Sequence, residues 1–241
     1  MLMDHFRGMS AIVTGASRGI GRAIATRLCA LGARVLFVAR SADETAVAVC
    51  EADTNASALA CDITNEHAPR EILSTALKRF GRLDILVHAA GAITQETLAA
   101  ANLATLDEMY RVNVRAPAAL TQAALPSLCK SGGQVLFVNS SIIRAGNVAG
   151  RGGYAATKHA LKAIADALRD EINLAGVRVL SIMPGTTATP AQERLHALAG
   201  KRYAPERLLQ SADIAQAACD ALAMPRTAEM TDVFVRPMLK P

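Results

Sequence analysis

A glycine-rich stretch of this chain reads Thr14-Gly15-Ala16-Ser17-Arg18-Gly19-Ile20-Gly21. It follows a short β-branched run and begins an alanine-rich segment of helical period. Glycines at such a junction permit a tight turn and let a pyrophosphate approach backbone N–H groups at the helix N-terminus. The spacing matches neither G-x-G-x-x-G nor a P-loop, and the alternative is a turn that binds nothing. The predicted cradle consists of Gly15, Ser17, Arg18, Gly19, Ile20 and Gly21.

Strand-like and helix-like patterns alternate along the rest of the chain. Short apolar or β-branched runs occupy 10–14, 34–39, 57–61, 84–88, 134–139, 177–182 and 231–235. Helical patterns occupy 19–31, 41–52, 66–80, 106–128, 154–175 and 212–223. Gly32, Gly81 and Gly176 directly follow three of these patterns and are predicted to end those helices in the αL conformation. This alternation predicts a doubly wound, mostly parallel α/β sheet with helices on both faces.

Length and composition are those of one globular domain over 1–241. The chain has 241 residues, of which 51% are hydrophobic and 20% charged. Its apolar runs are too short to span a bilayer. The N-terminal residues 1–7 are interrupted by charge and lack a secretory pattern, so we expect a cytoplasmic protein without membrane association.

Charge and cysteine content argue against several classes of protein. The net charge is +5, but the basic residues are scattered and aromatic residues make up only 3% of the chain, which disfavours nucleic-acid binding. The five cysteines have no C-x-x-C pair, which argues against a disulfide framework or a zinc site. We expect reduced, mostly buried thiols and no metal.

The end of the second predicted strand indicates which dinucleotide would bind. NAD-binding folds place an acidic residue there to hold the ribose 2′-hydroxyl, whereas an arginine accommodates a 2′-phosphate. Here the strand ends at Arg40, and Arg18 lies within the glycine stretch. This pattern favours NADP(H), although both could be solvated surface arginines. Asp62, after the third strand, is expected either to bind the adenine or to cap the following helix.

Tyr154 and Lys158 are four residues apart at the start of a long helical pattern. This spacing places both side chains on one helix face. A phenol titrates near pH ~10, so it exchanges protons near neutrality only if its anion is stabilised, and an ammonium one turn away can do this. Taken alone, the pair is also typical of a half-buried ring beside a solvated amine.

Five features in order resemble the short-chain dehydrogenase/reductase family. They are the glycine stretch, residues 88–91, Asn113, the set Ser141, Tyr154 and Lys158, and Pro184 with Gly185. The resemblance spans essentially the whole chain. It implies a Rossmann fold of seven strands, hydride transfer between a nicotinamide and a carbonyl or alcohol, and a homo-oligomer, either a tetramer or a dimer.

The resemblance also implies individual roles. Ser141, chosen over Ser140 because it lies 13 residues before Tyr154, would hold the substrate oxygen. Tyr154 would transfer a proton to or from that oxygen, and Lys158 would lower the phenol's pKa and contact the nicotinamide ribose. Asn113 would hold a water linked to Lys158. The further cofactor contacts it implies are Ile63, Ala90, Gly91, Pro184, Gly185 and Thr187.

Two departures from the family pattern stand out. His88-Ala89-Ala90-Gly91 replaces the common Asn-Asn-Ala-Gly, and His88 is expected to be structural rather than a cofactor contact. The C-terminal segment ends in Val235-Arg236-Pro237 and lacks the Gly-Gly pair of many acyl-carrier-protein ketoreductases. This ending looks more like the branch that acts on small hydroxy acids or assorted ketones.

The substrate end of the site is less determined. Segment 186–210 is predicted to be a substrate lid or a plain surface connection, with Met183, Thr187 and Leu195 as candidate contacts. Arg144 and Arg151 could attract a carboxylate or phosphate, or could be solvated. We therefore expect an NADP(H)-dependent oxidoreductase acting on a carbonyl/secondary-alcohol pair. The alternative is a non-catalytic NADP(H)-binding regulator or scaffold.

Overall fold

Seven parallel strands form one sheet in the computed structural model, which describes residues 5–50 and 55–238. The strands are β1 Ser10–Thr14, β2 Arg34–Ala39, β3 Ala56–Ala60, β4 Ile85–His88, β5 Gln134–Val138, β6 Arg178–Pro184 and β9 Asp232–Val235. Two short strands, β7 Thr187–Ala188 and β8 Leu209–Gln210, pair separately. The main sheet has the order β3-β2-β1-β4-β5-β6-β9. The predicted Rossmann fold is confirmed.

Helices cover both faces of the sheet. They are α1 Gly19–Ala30, α2 Ala42–Cys50, α3 Ala68–Phe80, α4 Leu103–Tyr110, α5 Ala116–Ser131, α6 Gly152–Ile172, α7 Pro190–Leu198 and α8 Ser211–Leu222. Because side chains alternate along a strand, Val13 packs in the core under α1 and α8, whereas Ile12 packs with residues of α3, α5 and α6. The strands are therefore apolar on both sides, as their sequences predicted.

The predicted element boundaries are mostly within a few residues of the observed ones. The helix predicted over 106–128 is confirmed as a continuous helical run of α4, a π-helical segment Arg111–Arg115, and α5. The last two residues of the helix predicted over 41–52 lie outside the described part of the chain. Gly32, Gly81 and Gly176, predicted to end helices, all have positive φ.

Segment 186–210 forms an excursion between β6 and α8. Thr187 pairs with Leu209 and Ala188 with Gln210, so the two ends of the excursion are held together. Between them lie α7 and a 3₁₀ turn, Pro205–Arg207. Among the helices of the described residues, none is long and apolar enough to cross a membrane.

Candidate active site

A cleft of about 1000 Å³ lies at the carboxyl ends of the strands. Loops that follow β1, β2, β4, β5 and β6 contribute to its lining, together with α7. In doubly wound sheets a ligand binds outside the carboxyl ends of the strands, where the strand order reverses. Here the reversal lies between β1 and β4, so the cleft occupies the place where this fold binds ligands.

The cleft collects nearly all of the predicted site residues. Those that line it are Gly15, Ser17, Arg18, Gly19, Ile20, Gly21, Arg40, Asp62, Ile63, Ala90, Gly91, Ser141, Tyr154, Lys158, Pro184, Gly185 and Thr187. Asn113 does not line it. Of the further substrate contacts suggested, Leu195 lines the cleft, whereas Met183 is fully buried elsewhere.

The glycine loop packs tightly against the loop after β4. A Cβ on Gly21 would lie 2.3 Å from the carbonyl oxygen of Gly15, and a Cβ on Gly15 would lie 2.7 Å from Cα of Ala90. Thr14 Oγ1 braces this contact, because it accepts hydrogen bonds from the backbone N–H groups of Ala89 at 3.2 Å and Ala90 at 3.3 Å. Only glycine fits at these two positions of the loop.

The N-terminus of α1 opens on the cleft without a side-chain cap. Arg18, the N-cap residue, has extended backbone and makes no capping hydrogen bond with its side chain. The first N–H groups of a helix have no partner within the helix, and the helix dipole adds partial positive charge there. The arrangement suits an anion such as a pyrophosphate.

Two exposed arginines lie at the same end of the cleft as an acidic residue that the sequence analysis missed. Arg18 and Arg40 both line the cleft. Glu44, in the first turn of α2, accepts a hydrogen bond from Ser17 Oγ at 3.1 Å. Nothing in the local sequence pattern distinguishes Glu44 from an ordinary solvated helix residue.

Asp62 is held by the turn that follows it. Its Oδ1 accepts hydrogen bonds from Thr64 N at 2.9 Å and Thr64 Oγ1 at 2.8 Å. The backbone hydrogen bond from Thr64 lowers the pKa of Asp62, with smaller contributions from the charges of Arg40 and Arg111. Asp62 does not cap α3, whose N-cap residue is His67.

The hydroxyl that contacts the Tyr154 phenol belongs to Ser140, not to Ser141. Burial of the half-buried Tyr154 raises its pKa, whereas a side-chain hydrogen bond with Ser140 and the positive charge of Arg151 lower it. Ser140 is still extended, with φ −163° and ψ 146°, and a 3₁₀ turn begins at Ser141. Both serines line the cleft, and the prediction that Ser141 holds the substrate oxygen stays a prediction.

Lys158 is buried beneath the same ring. Its Nζ lies 5.8 Å from the centroid of the Tyr154 ring and donates a hydrogen bond to the carbonyl oxygen of Val138 at 3.0 Å. Burial lowers the pKa of Lys158 to about 8. The influences that lower the phenol's pKa come from Ser140 and Arg151, and the lowering by Lys158 that the resemblance implied stays a prediction.

Asn113 is buried next to the site and does not line the cleft. Its Oδ1 accepts a hydrogen bond from Ala92 N at 2.8 Å, and its Nδ2 donates to Ala92 O at 2.8 Å and Thr157 Oγ1 at 3.0 Å. The side chain thereby ties the loop after β4 to α6, next to Lys158. The water-holding role that the resemblance implied stays a prediction.

His88 and Arg144 lie outside the cleft lining. His88 Nε2 is 2.8 Å from Thr121 Oγ1, and the ring stacks on Phe137 with centroids 4.9 Å apart. The guanidinium carbon of Arg144 lies 3.7 Å from the Phe234 ring centroid. His88 therefore has the structural environment that the sequence favoured.

One thiol, that of Cys61, lines the cleft. Of the four cysteines whose side chains are described, Cys29, Cys61 and Cys219 are buried and Cys129 is exposed, and none of the four forms a disulfide. The described residues contain no group of three or more His, Cys, Asp or Glu side chains arranged to hold a metal ion.

Comparison with known proteins identifies the family. Residues 9–198 match the family model described as short chain dehydrogenase. The chain belongs to the short-chain dehydrogenase family. It is 31% identical over 228 residues to an uncharacterized oxidoreductase of Staphylococcus epidermidis, and the match covers 95% of this chain and 96% of that protein.

Two solved structures of the same family have the same architecture. An alcohol dehydrogenase from the archaeon Thermococcus sibiricus, complexed with 5-hydroxy-NADP, superposes with a TM-score of 0.87 at 27% identity and covers 97% of this chain and 98% of its own. A 3-ketoacyl-(acyl-carrier-protein) reductase from Brucella melitensis, complexed with NADH, gives 0.85 at 26% identity and covers 95% and 97%. This chain is thus an oxidoreductase of the short-chain dehydrogenase type.

Proposed function

We propose that this short-chain dehydrogenase interconverts a carbonyl compound and a secondary alcohol with NADP(H), using Tyr154 as general acid/base. One observation carries the proposal: a phenol in contact with a serine hydroxyl stands above a buried amine, in a cleft that also contains the uncapped α1 N-terminus. Proton exchange and anion binding are the two capabilities that such a reaction requires.

The residues of the cleft fit a dinucleotide. Backbone N–H groups of the glycine loop would hold the pyrophosphate, since the loop leaves no room for a Cβ at Gly15 or Gly21. Asp62 would contact the adenine, and the further cofactor contacts that the resemblance implies would come from Ile63, residues 90–91, Pro184, Gly185 and Thr187. When bound, a reduced nicotinamide supplies the hydride that bonds to the carbonyl carbon.

The preference for NADP(H) rests on Arg18 and Arg40. Both could pair with a 2′-phosphate, and the residue that follows β2 is not a carboxylate. Glu44 is the acidic residue of α2 that lines the cleft, but it lies four residues beyond Arg40 and its carboxylate accepts a hydrogen bond from Ser17. The relatives include one solved with an NADP derivative and one with NADH, so the arginines carry this part of the proposal.

The chain's own groups would handle the proton and the substrate oxygen. In the reductive direction Tyr154 donates its phenolic proton to the carbonyl oxygen, and the Ser140 hydroxyl donates a hydrogen bond to the same atom. Lys158, whose pKa is lowered to about 8 by burial, can give and take a proton near neutrality and so restore the phenol. Segment 186–210 would close over the substrate as a lid.

Replacing Tyr154 by phenylalanine tests the proposal. We expect Tyr154→Phe to lower kcat by ~10²–10⁴-fold, the usual contribution of a general acid–base group, with NADPH affinity near wild type. Tyr110→Phe, at a tyrosine that is 49% exposed, is the matched control. The assay is NADPH oxidation against ketones, keto acids, keto esters and quinones, with binding followed by NADPH fluorescence.

Two outcomes would contradict the proposal. Tyr154→Phe retaining more than about a tenth of the rate would exclude Tyr154 as the proton donor. NADPH binding without oxidation by any carbonyl of the panel would favour a non-catalytic regulator or scaffold.

A further inference from the structure

Arg151 is the cation next to the Tyr154 phenol on the substrate side of the cleft. It is the N-cap residue of α6, three residues before Tyr154, and it lines the cleft. Its backbone N–H donates to Val148 O at 2.8 Å, and its Nη2 donates to Asn147 O at 3.2 Å. Its positive charge lowers the pKa of Tyr154, against the larger opposite effect of burial. The guanidinium thus makes one hydrogen bond to a backbone carbonyl, and its charge acts on the phenol.

The acidic residues of the cleft are engaged elsewhere. Glu108 forms an ion pair with Arg111 at 2.7 Å. Asp62 accepts from Thr64, and Glu44 accepts from Ser17. In the described parts of the chain, no carboxylate lies within salt-bridge distance of Arg151.

The neighbouring arginine of the same loop is placed differently. The Arg144 guanidinium is stacked over Phe234 and does not line the cleft. Ile142 and Ala145, which do line it, give this wall of the cleft an apolar surface. An ion pair formed against apolar surface is screened less than one in open water. Arg151 therefore offers a fixed positive charge that no protein carboxylate neutralises.

We propose that Arg151 binds a carboxylate of the substrate, so that the substrates are oxo acids and the corresponding hydroxy acids. A guanidinium matches a planar carboxylate with two parallel hydrogen bonds. A single guanidinium balances the charge of a monoanion better than that of a phosphate dianion. The inference rests on the proposed function. In the reduction, hydride bonds to the carbonyl carbon, the Tyr154 proton bonds to its oxygen, the nicotinamide is oxidised, and the carboxylate is unchanged.

Matched pairs of charged and neutral substrates test this inference. Wild-type kcat/KM is measured with NADPH for acetoacetate against methyl acetoacetate, pyruvate against methyl pyruvate, and 4-acetylbenzoate against methyl 4-acetylbenzoate. We expect at least one acid to be preferred over its ester. Arg151→Gln should lower that acid-to-ester ratio by about 10- to 100-fold, chiefly through KM, because a charge-assisted hydrogen bond is lost. Arg151→Lys should restore part of the ratio, and Arg144→Gln should leave it unchanged.

The outcomes separate this inference from the proposed function. Preference for every ester over its acid in wild type would overturn the role of Arg151 while leaving the oxidoreductase proposal intact. An equal loss on acid and ester in Arg151→Gln would also overturn it, and would indicate that Arg151 acts on the phenol. Failure of wild type to reduce any carbonyl while still binding NADPH would overturn both proposals. As a measurement independent of turnover, benzoate should raise the melting temperature of wild type and Arg144→Gln but not of Arg151→Gln.

Discussion

Protonation of His88 should make this fold sensitive to acid. His88 ends β4 inside the core, where it bonds Thr121 and stacks on Phe137. Burial lowers its pKa from the ordinary 6.5 to about 3. The perturbation is His88→Asn, which introduces the residue commonly found at this position in the family and removes the titrating group.

Stability should fall with decreasing pH, because the pKa of His88 is lower in the folded chain than in the unfolded chain. Below 6.5 the unfolded chain binds a proton at His88, whereas the folded chain does not until about 3. The contribution of His88 to stability is therefore complete above 6.5 and is lost as the pH falls, at about 1.4 kcal/mol per pH unit. Between about pH 7.5 and about pH 4.5 this loss amounts to about 2–3 kcal/mol. At neutral pH the variant should be less stable by about 1 kcal/mol, because it loses packing and a hydrogen bond.

Urea unfolding followed by circular dichroism measures the effect, since the chain has no tryptophan for fluorescence. We expect the wild-type free energy of unfolding to fall more steeply with decreasing pH than that of His88→Asn, so that the gap between them narrows or reverses. His159→Asn, at an exposed position on α6, is the control and should keep the wild-type slope. Parallel curves for wild type and His88→Asn would refute the reasoning.

The serine pair and the cofactor end of the cleft give two more predictions. Ser140→Ala should lower kcat by about 10²-fold, because the substrate oxygen loses a hydrogen-bond donor. Ser141→Ala should change kcat by about twofold, the effect of a peripheral substitution. The reverse order in steady-state assays would assign the hydrogen bond to the substrate oxygen to Ser141. Arg40→Asp should shift the ratio of kcat/KM for NADPH over NADH toward NADH by about 10- to 100-fold, because a charge-assisted contact is lost. Arg70→Asp, an exposed change outside the cleft, should leave that ratio unchanged, and an unmoved ratio in Arg40→Asp would show that Arg40 is not the 2′-phosphate partner.

The region around Asn113 shows which parts of the fold could be predicted from the sequence and which could not. Apolar runs and glycine stops are local signals, so they were sufficient to predict strands such as Arg34–Ala39 and the order of the elements. The helix predicted over 106–128 is confirmed, but the π-helical segment Arg111–Arg115 within it was not predicted, because it contains Asn113, which makes a contact distant in sequence. Asn113 takes both backbone groups of Ala92, a residue 21 positions away, and no local pattern encodes such a contact.

The residues of the candidate site could also be predicted in part from the sequence. Motifs and spacing predicted the glycine loop, Arg40, Tyr154 and Lys158, and all of them line the cleft. The choice between Ser140 and Ser141 does not follow from counting residues to Tyr154, because it depends on where β5 ends and the 3₁₀ turn begins.

The sequence by itself determined the alternation of strands and helices, the glycine stretch, and the Tyr154–Lys158 spacing, because each of these is a relation between neighbours along the chain. The tertiary structure decided which hydroxyl meets the phenol, that Lys158 is bonded to Val138, and that Arg151 rather than Arg144 lines the cleft. These relations depend on burial and on contacts between separate elements. They set the pKa values and the free charges on which the proposed chemistry depends.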